Sequence, residues 1–267
     1  MSANSLDDMW TTSDAYDVFM GRWSHQVAGY FIRWLGTQPG MAWLDVGCGT
    51  GALASAICSL TGPAFVVACD PSEPFIEHTK RRLADPRVSV VVAGVGDLPS
   101  NSEGFDRVVS GLVLNFLPDP LQAVREMRSR ACPGGLVAGY VWDYSGRMEF
   151  LRIFWDEAVA LDRAARELDE GVCFPMCQRD ALESIFHKAG LRDVASNAIE
   201  IPTRFAGFSD YWDPFLGGTG PAPSYVASLS EQVRTELRDR LQRRVAPRTG
   251  CVIDLVARAW AVRGSAP

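Results

Sequence analysis

The chain has 267 residues, nearly half of them apolar, with a formal net charge of −6 and a pI near 5.2. That describes a globular protein long enough to bury a large core, and one too acidic to gain affinity by neutralising nucleic-acid phosphates. No apolar run reaches the roughly 18–20 residues of a membrane span. The polar, acidic start Met1–Asp8 is unlike a secretory leader, so a cytoplasmic setting without nucleic-acid or membrane partners is expected.

Apolar residues from Tyr16 onward (Val18, Phe19, Trp23, Val27, Tyr30, Phe31, Trp34, Leu35) recur at helical intervals as far as Gly36. Gln38-Pro39-Gly40 is a turn before a short strand, Trp43–Val46. Gly47, Gly49 and Gly51 follow, and then a helix over Ala52–Leu60. Phe65–Cys69 is apolar throughout, which suits a strand covered on both faces of a parallel sheet; it ends at Asp70-Pro71. A helix over Ser72–Arg82 and strands over Val88–Ala93 and Phe105–Gly111 come next. Pro120–Ala131 is a helix, Pro133-Gly134-Gly135 a turn and Leu136–Trp142 a fifth strand. Strands alternating with helices imply a doubly wound sheet with right-handed crossovers.

Beyond Trp142 the texture changes. Phe150–Leu168 is expected to be one long helix, Gln178–Gly190 another, and Val194–Pro202 a sixth strand. Phe205–Pro223 is crowded with aromatics, glycines and prolines and is expected to be a long loop. Residues 230–245 form a helix whose arginines make a solvated face, and Cys251–Val262 a last strand. Seven scattered cysteines and three histidines, His25, His78 and His187, lack metal-site spacing, so no metal is expected and the thiols are expected to be buried and reduced.

Strand, glycine turn and helix form a nucleotide-binding unit. Gly47, Gly49 and Ala52 satisfy the dinucleotide pattern, and Asp70 could hold a ribose. Asp45, inside the strand and two residues before the first glycine, points elsewhere. A buried carboxylate needs donors or a cation; it would repel a pyrophosphate and attract an ammonium or sulfonium.

Leu44-Asp45-Val46-Gly47-Cys48-Gly49-Thr50-Gly51, Asp70, Leu98-Pro99, Phe105-Asp106, the Leu114–Asp119 segment, Glu126 and Pro133-Gly134-Gly135 occur in that order. In this the sequence resembles the class I S-adenosylmethionine-dependent methyltransferases, in particular the small-molecule branch that includes quinone-biosynthesis enzymes. The likeness covers about residues 40–142 and is loose beyond. It implies a Rossmann-like, mostly parallel seven-stranded sheet with helical and aromatic cap insertions, and S-adenosylmethionine as cofactor. Gly47, Gly49 and Gly51 would let the backbone approach the methionine part, and Asp45 would hold its amino group. Asp70, followed by Pro71, would accept the ribose hydroxyls, and Ser110 and Leu112 would line the methionine end. Tyr16 and Arg22 would belong to a lid, Arg22 reaching the methionine carboxylate or remaining a surface cation. The family's adenine-binding aspartate is replaced by Gly94, leaving the Val95 backbone to meet the ring and Asp97 as a turn residue.

The expected division is an N-terminal lid (1–36), a cofactor-binding core (37–142), a helical insertion with the sixth strand (143–203), an aromatic cap (204–250) and a last strand (251–267), as monomer or homodimer. Asp143 is the candidate base, with turn capping as its competing role; His25 and Tyr144 are further candidates. Trp142, Phe150, Phe154, Trp155, Tyr211, Trp212 and Phe215 would line an acceptor pocket or form a core of their own. The expected function is methyl transfer to a small aromatic or lipophilic acceptor, against a nicotinamide-dependent oxidoreductase or a non-catalytic S-adenosylmethionine-binding regulator.

Overall fold

A computed structural model describes residues 20–217, 220–246 and 252–267; Tyr16 and the start of the expected last strand at Cys251 lie outside them. The chain divides into two compact units, one of residues 21–141, 178–199 and 259–267, the other built from 142–177 and 200–258.

The first unit holds the alternating elements: α1 (Arg22–Leu35), β1 (Ala42–Val46), α2 (Ala52–Thr61), β2 (Phe65–Asp70), α3 (Glu73–Arg82), β3 (Val88–Val92), β4 (Phe105–Gly111) and α4 (Pro120–Arg130), leading into β5 (Ala131–Trp142). Sheet order is β3-β2-β1-β4-β5-β7-β6, with β6 (Arg192–Phe205) and β7 (Ile253–Ser265) contributing residues to both units. β1 pairs in parallel with β2 and β4, β2 with β3, and β4 with β5. Every residue of β1 is buried, as its central place demands. β7 opposes β5, since Gly134 and Gly135 bond to Ala266 while Asp143 bonds to Arg258. The expected seven-stranded, mostly parallel doubly wound sheet is the observed one.

Pro133-Gly134-Gly135 is not a turn before β5 but lies within it. Phe105 pairs with Ala131 while Arg107 pairs with Leu136, so the extra residues are absorbed as a bulge. Gly134 supplies the left-handed turn at φ 75°. The described part of the expected lid, α1, also belongs to this unit. It buries Trp23, Val27, Phe31 and Leu35, sets Phe31 4.6 Å from the Tyr140 ring, and receives the Arg263 guanidinium on its Leu35 carbonyl at 3.1 Å, which suits the negative end of a helix.

In the second unit the expected long helix is broken. α5 (Glu149–Leu161) stops at Asp162, whose carboxylate accepts the Ala164 amide at 2.9 Å and starts a 3₁₀ turn. A four-residue helix, α6 (Glu170–Cys173), follows, and α7 (Arg179–Lys188) returns to the first unit. The described part of the expected 205–223 loop is helical: α8 (Phe208–Trp212), a 3₁₀ turn and α9 (Pro221–Ser228), before α10 (Glu231–Val245). Proline at the first turn of α9 favours the helix start, and mutual aromatic packing overrides the loop-like composition. Phe154 stacks on Phe215 at 4.6 Å, and Phe215 lies 5.5 Å from Tyr211. Trp142, Phe150, Phe154, Trp155, Tyr211, Trp212 and Phe215 are all buried; these rings pack as a core. Glu170 is buried among them, taking the Trp155 indole N–H, and burial pushes its carboxyl up to about 7.

Truncating Phe154→Ala should cost about 3–5 kcal/mol, because the ring is fully buried and stacked. Chemical denaturation followed by circular dichroism checks this; a loss below about 1 kcal/mol would contradict the core role.

Candidate functional site

In an open α/β sheet a ligand site forms where strand order reverses, outside the carboxyl ends of the strands. Here order reverses between β1 and β4. After β1 the chain turns through Gly47 (φ 74°), Gly49 (φ 51°) and Gly51 (φ 84°), conformations that L side chains rarely hold. A Cβ on Gly47 would lie 2.6 Å from Val113 Cγ2, and one on Gly51 2.9 Å from Thr79 Cγ2. At Gly49 a Cβ would meet nothing within 4 Å, so that glycine leaves open space beside the loop.

The loop is fastened at several points. The Gly47 and Cys48 amides both donate to the Cys69 carbonyl, at 2.8 and 2.9 Å. Asp70, at the end of β2 and 8% exposed, accepts the Gly49 amide at 3.0 Å and the Ser72 amide at 2.9 Å. Thr79, which no sequence pattern singles out, donates its hydroxyl to the Gly49 carbonyl at 2.7 Å. Ser110, fully buried, donates to the Val46 carbonyl at 2.9 Å and ties the ends of β4 and β1 together. Leu112, next after β4, holds a left-handed φ of 63° and donates its amide to Tyr140. Non-glycine strain of this kind gathers at functional sites.

Asp45 lies under the loop with no exposed surface, and neither carboxylate oxygen has a hydrogen-bond partner. Burial, then the negative charge of Asp70, raises its carboxyl to about 7; the Ala54 amide draws it down by a smaller amount. Ala54 is in the first turn of α2, so the positive end of that helix already faces a carboxylate. Burial also raises Asp70, against the pull of the Ser72 and Gly49 amides. Among the described residues no lysine or arginine pairs with either carboxylate. The loop therefore gives its Gly49 amide to Asp70 and presents negative charge, the reverse of a pyrophosphate cradle.

Residues 44–139 match the sequence model of the methyltransferase domain. Over this stretch, from β1 into β5, the chain is similar to a methyltransferase domain. Curated proteins similar to this chain include the demethylmenaquinone methyltransferases of Halalkalibacterium halodurans, 36% identical over 110 residues, and of Staphylococcus aureus, 36% identical over 105. The matched stretches cover 40% and 39% of this chain and 45% and 44% of those proteins, so the chain spans about half the length of the curated relatives it matches.

Solved structures extend the likeness in fold beyond the matched stretch. The YcgJ protein of Bacillus subtilis is similar at a TM-score of 0.56, over 90% of this chain and 98% of that one, with 15% identity. Phosphoethanolamine N-methyltransferase 2 of Haemonchus contortus, in complex with S-adenosyl-L-methionine, is similar at 0.56 over 96% of this chain and 56% of that one, with 16% identity.

The remaining expected residues take definite places. Gly94 opens a 3₁₀ turn, Val95–Asp97, and its amide donates to Asp97 at 2.7 Å; Asp97 is the turn residue expected. Val95 is half-buried and Pro71 exposed. Arg22 is exposed at the start of α1, with its guanidinium 4.4 Å over the Trp23 ring. Asp143, in the second unit and 2% exposed, accepts the Gly146 and Arg147 amides, both at 3.1 Å, and the Arg258 Nε at 2.7 Å. That is the turn-capping role, reinforced by an ion pair at 2.5 Å.

Asp45 binds its proton more tightly folded than unfolded, because its native value of about 7 stands above the ordinary 3.8. Its contribution to ligand-free stability is full below about pH 4 and is lost as pH rises toward 7. Urea denaturation at pH 5 and pH 8 should show a shallower loss for Asp45→Asn than for the wild type; equal losses would contradict the buried, unpaired carboxyl.

Proposed function

We propose that the chain transfers a methyl group from S-adenosylmethionine to a small organic acceptor of aromatic or lipophilic character. The observation that carries the reading is the carboxylate pair: Asp45 and Asp70 face the glycine loop, and among the described residues no lysine or arginine pairs with either. A ligand bearing an ammonium and a sulfonium supplies the missing charge, and a pyrophosphate does not. The acceptor class is supported by the likeness of the core to enzymes named for demethylmenaquinone.

Each oxygen of Asp70 accepts one amide and keeps a further lone-pair site, so the carboxylate can take two ribose hydroxyls while holding the loop. Asp45 acts from beneath the loop through its charge or through a buried water. Gly49, with open space beside it, admits close approach of the ligand to the backbone. When bound, the cofactor supplies an electrophilic methyl on sulfur. The chain's part is to hold donor and acceptor in line and to exclude water. With Asp143 engaged by its donors, the reading needs no side-chain base there, and an acceptor that reaches the site as an anion or a free amine suits it.

Calorimetry with S-adenosylhomocysteine tests the cofactor, and transfer of tritiated methyl from S-adenosylmethionine into a metabolite extract tests the reaction. Asp70→Ala should weaken homocysteine-product binding by about 1.5–3 kcal/mol, since charge-assisted bonds are lost. Binding of NAD(P) with no binding of S-adenosylhomocysteine would overturn the reading in favour of an oxidoreductase. Tight binding with repeated absence of transfer would overturn it in favour of a non-catalytic regulator.

A further inference from the structure

Among the described residues, two side chains have both atoms of a two-atom polar group buried without a hydrogen-bond partner: Asp45 and Asn115. Asp45 is in β1 and Asn115 follows β4, the adjacent strands at the reversal of sheet order. Asn115 is in the 3₁₀ turn Leu114–Phe116 and 8% exposed. Its neighbours fix that turn against the site. Val113 fills the space that a Cβ on Gly47 would need, at 2.6 Å, and Leu114 Cδ1 lies 3.2 Å from the Cβ position of Gly139 on β5. Leu112, just before, is strained at φ 63°. Val113 and Leu114 are used in packing, and the next residue is polar, buried and unsatisfied.

A buried carboxamide without partners forfeits the hydration of both its groups and regains nothing. Leucine, of nearly the same shape, would avoid that cost, so the fold alone gives no reason for asparagine here. We infer that Asn115 is a ligand-binding residue of this site, its Oδ1 accepting from and its Nδ2 donating to a group that does both. That chemistry fits two occupants of the crevice: the amino-acid end of the cofactor, with its ammonium and carboxylate, or a hydroxyl or amine on the acceptor. The inference rests on the methyltransferase reading and adds a residue to it. The carboxamide positions this group, and the packing of Val113 and Leu114 holds the turn that carries it.

The test compares wild type with Asn115→Leu by thermal unfolding of the ligand-free protein, calorimetry with S-adenosylhomocysteine, and transfer of tritiated methyl into the extract fraction that the wild type methylates. Leucine should raise the ligand-free melting temperature by about 2–4 °C, because a desolvated amide is removed. A loss of S-adenosylhomocysteine affinity of about tenfold places Asn115 at the cofactor's amino-acid end. Retained affinity with about tenfold or greater loss of transfer places it at the acceptor. If the variant melts lower than wild type, the amide serves the fold and the inference is overturned. It is equally overturned if affinity and transfer are both retained, and by retained affinity alone if the wild type transfers nothing. Failure of the wild type to bind S-adenosylhomocysteine would instead overturn the methyltransferase reading.

Discussion

The site depends on an electrostatic debt at the carboxyl end of β1. Asp45 is fully buried, unpaired and repelled by Asp70, and the first turn of α2 offers it only partial relief. The same strand–glycine–helix unit can hold a pyrophosphate when the helix N-terminus and the loop amides are free. Here Asp70 takes the Gly49 amide and Asp45 faces the helix start. In the proposed reading the loop is matched to a ligand that carries an ammonium and a sulfonium, and two carboxylates, rather than three glycines, choose it.

The rest of the core serves that placement. Parallel pairing of β1 with β2 and β4 brings Asp45, Asp70 and Ser110 to one end of the sheet. Ser110 on the Val46 carbonyl and Thr79 on the Gly49 carbonyl fix the loop from both sides. Burial of every residue of β1 makes its register hard to shift, and a one-residue slip would turn the carboxylate to the opposite face. The second unit carries a different kind of order. Its aromatic side chains satisfy one another, and Glu170 is held within them by the Trp155 indole.

Most of the core was legible in the sequence, because its signals are local. Continuous apolar runs gave the strands, glycines and capping residues gave the turns, and Asp45 stood out as a charge inside an apolar strand. Signals that depend on partners distant in sequence were not legible. The bulge at Pro133-Gly134-Gly135 has the composition of a turn, and only pairing of β5 with β4 and β7 makes it strand. The 205–223 segment has loop composition, and stacking onto Phe154 makes its described residues helical. Asp143 sits at a strand end as a catalytic group would, but Arg258, more than a hundred positions away, takes its carboxylate. Thr79 carried no signal, and Asn115 none beyond its place in the Leu114–Asp119 segment, since what sets them apart is what they touch or fail to touch.

If the buried carboxyl of Asp45 is what selects the ligand, binding must change its protonation. Near pH 6 the ligand-free carboxyl, with its value raised to about 7, carries a proton that an incoming ammonium displaces. Calorimetry of S-adenosylhomocysteine binding at pH 6, in two buffers of different ionisation enthalpy, counts that proton. The account predicts release of roughly one proton by the wild type, almost none at pH 8.5, and none by Asp45→Asn at either pH. Binding by the wild type at pH 6 with no proton released, or with a proton taken up, would contradict it.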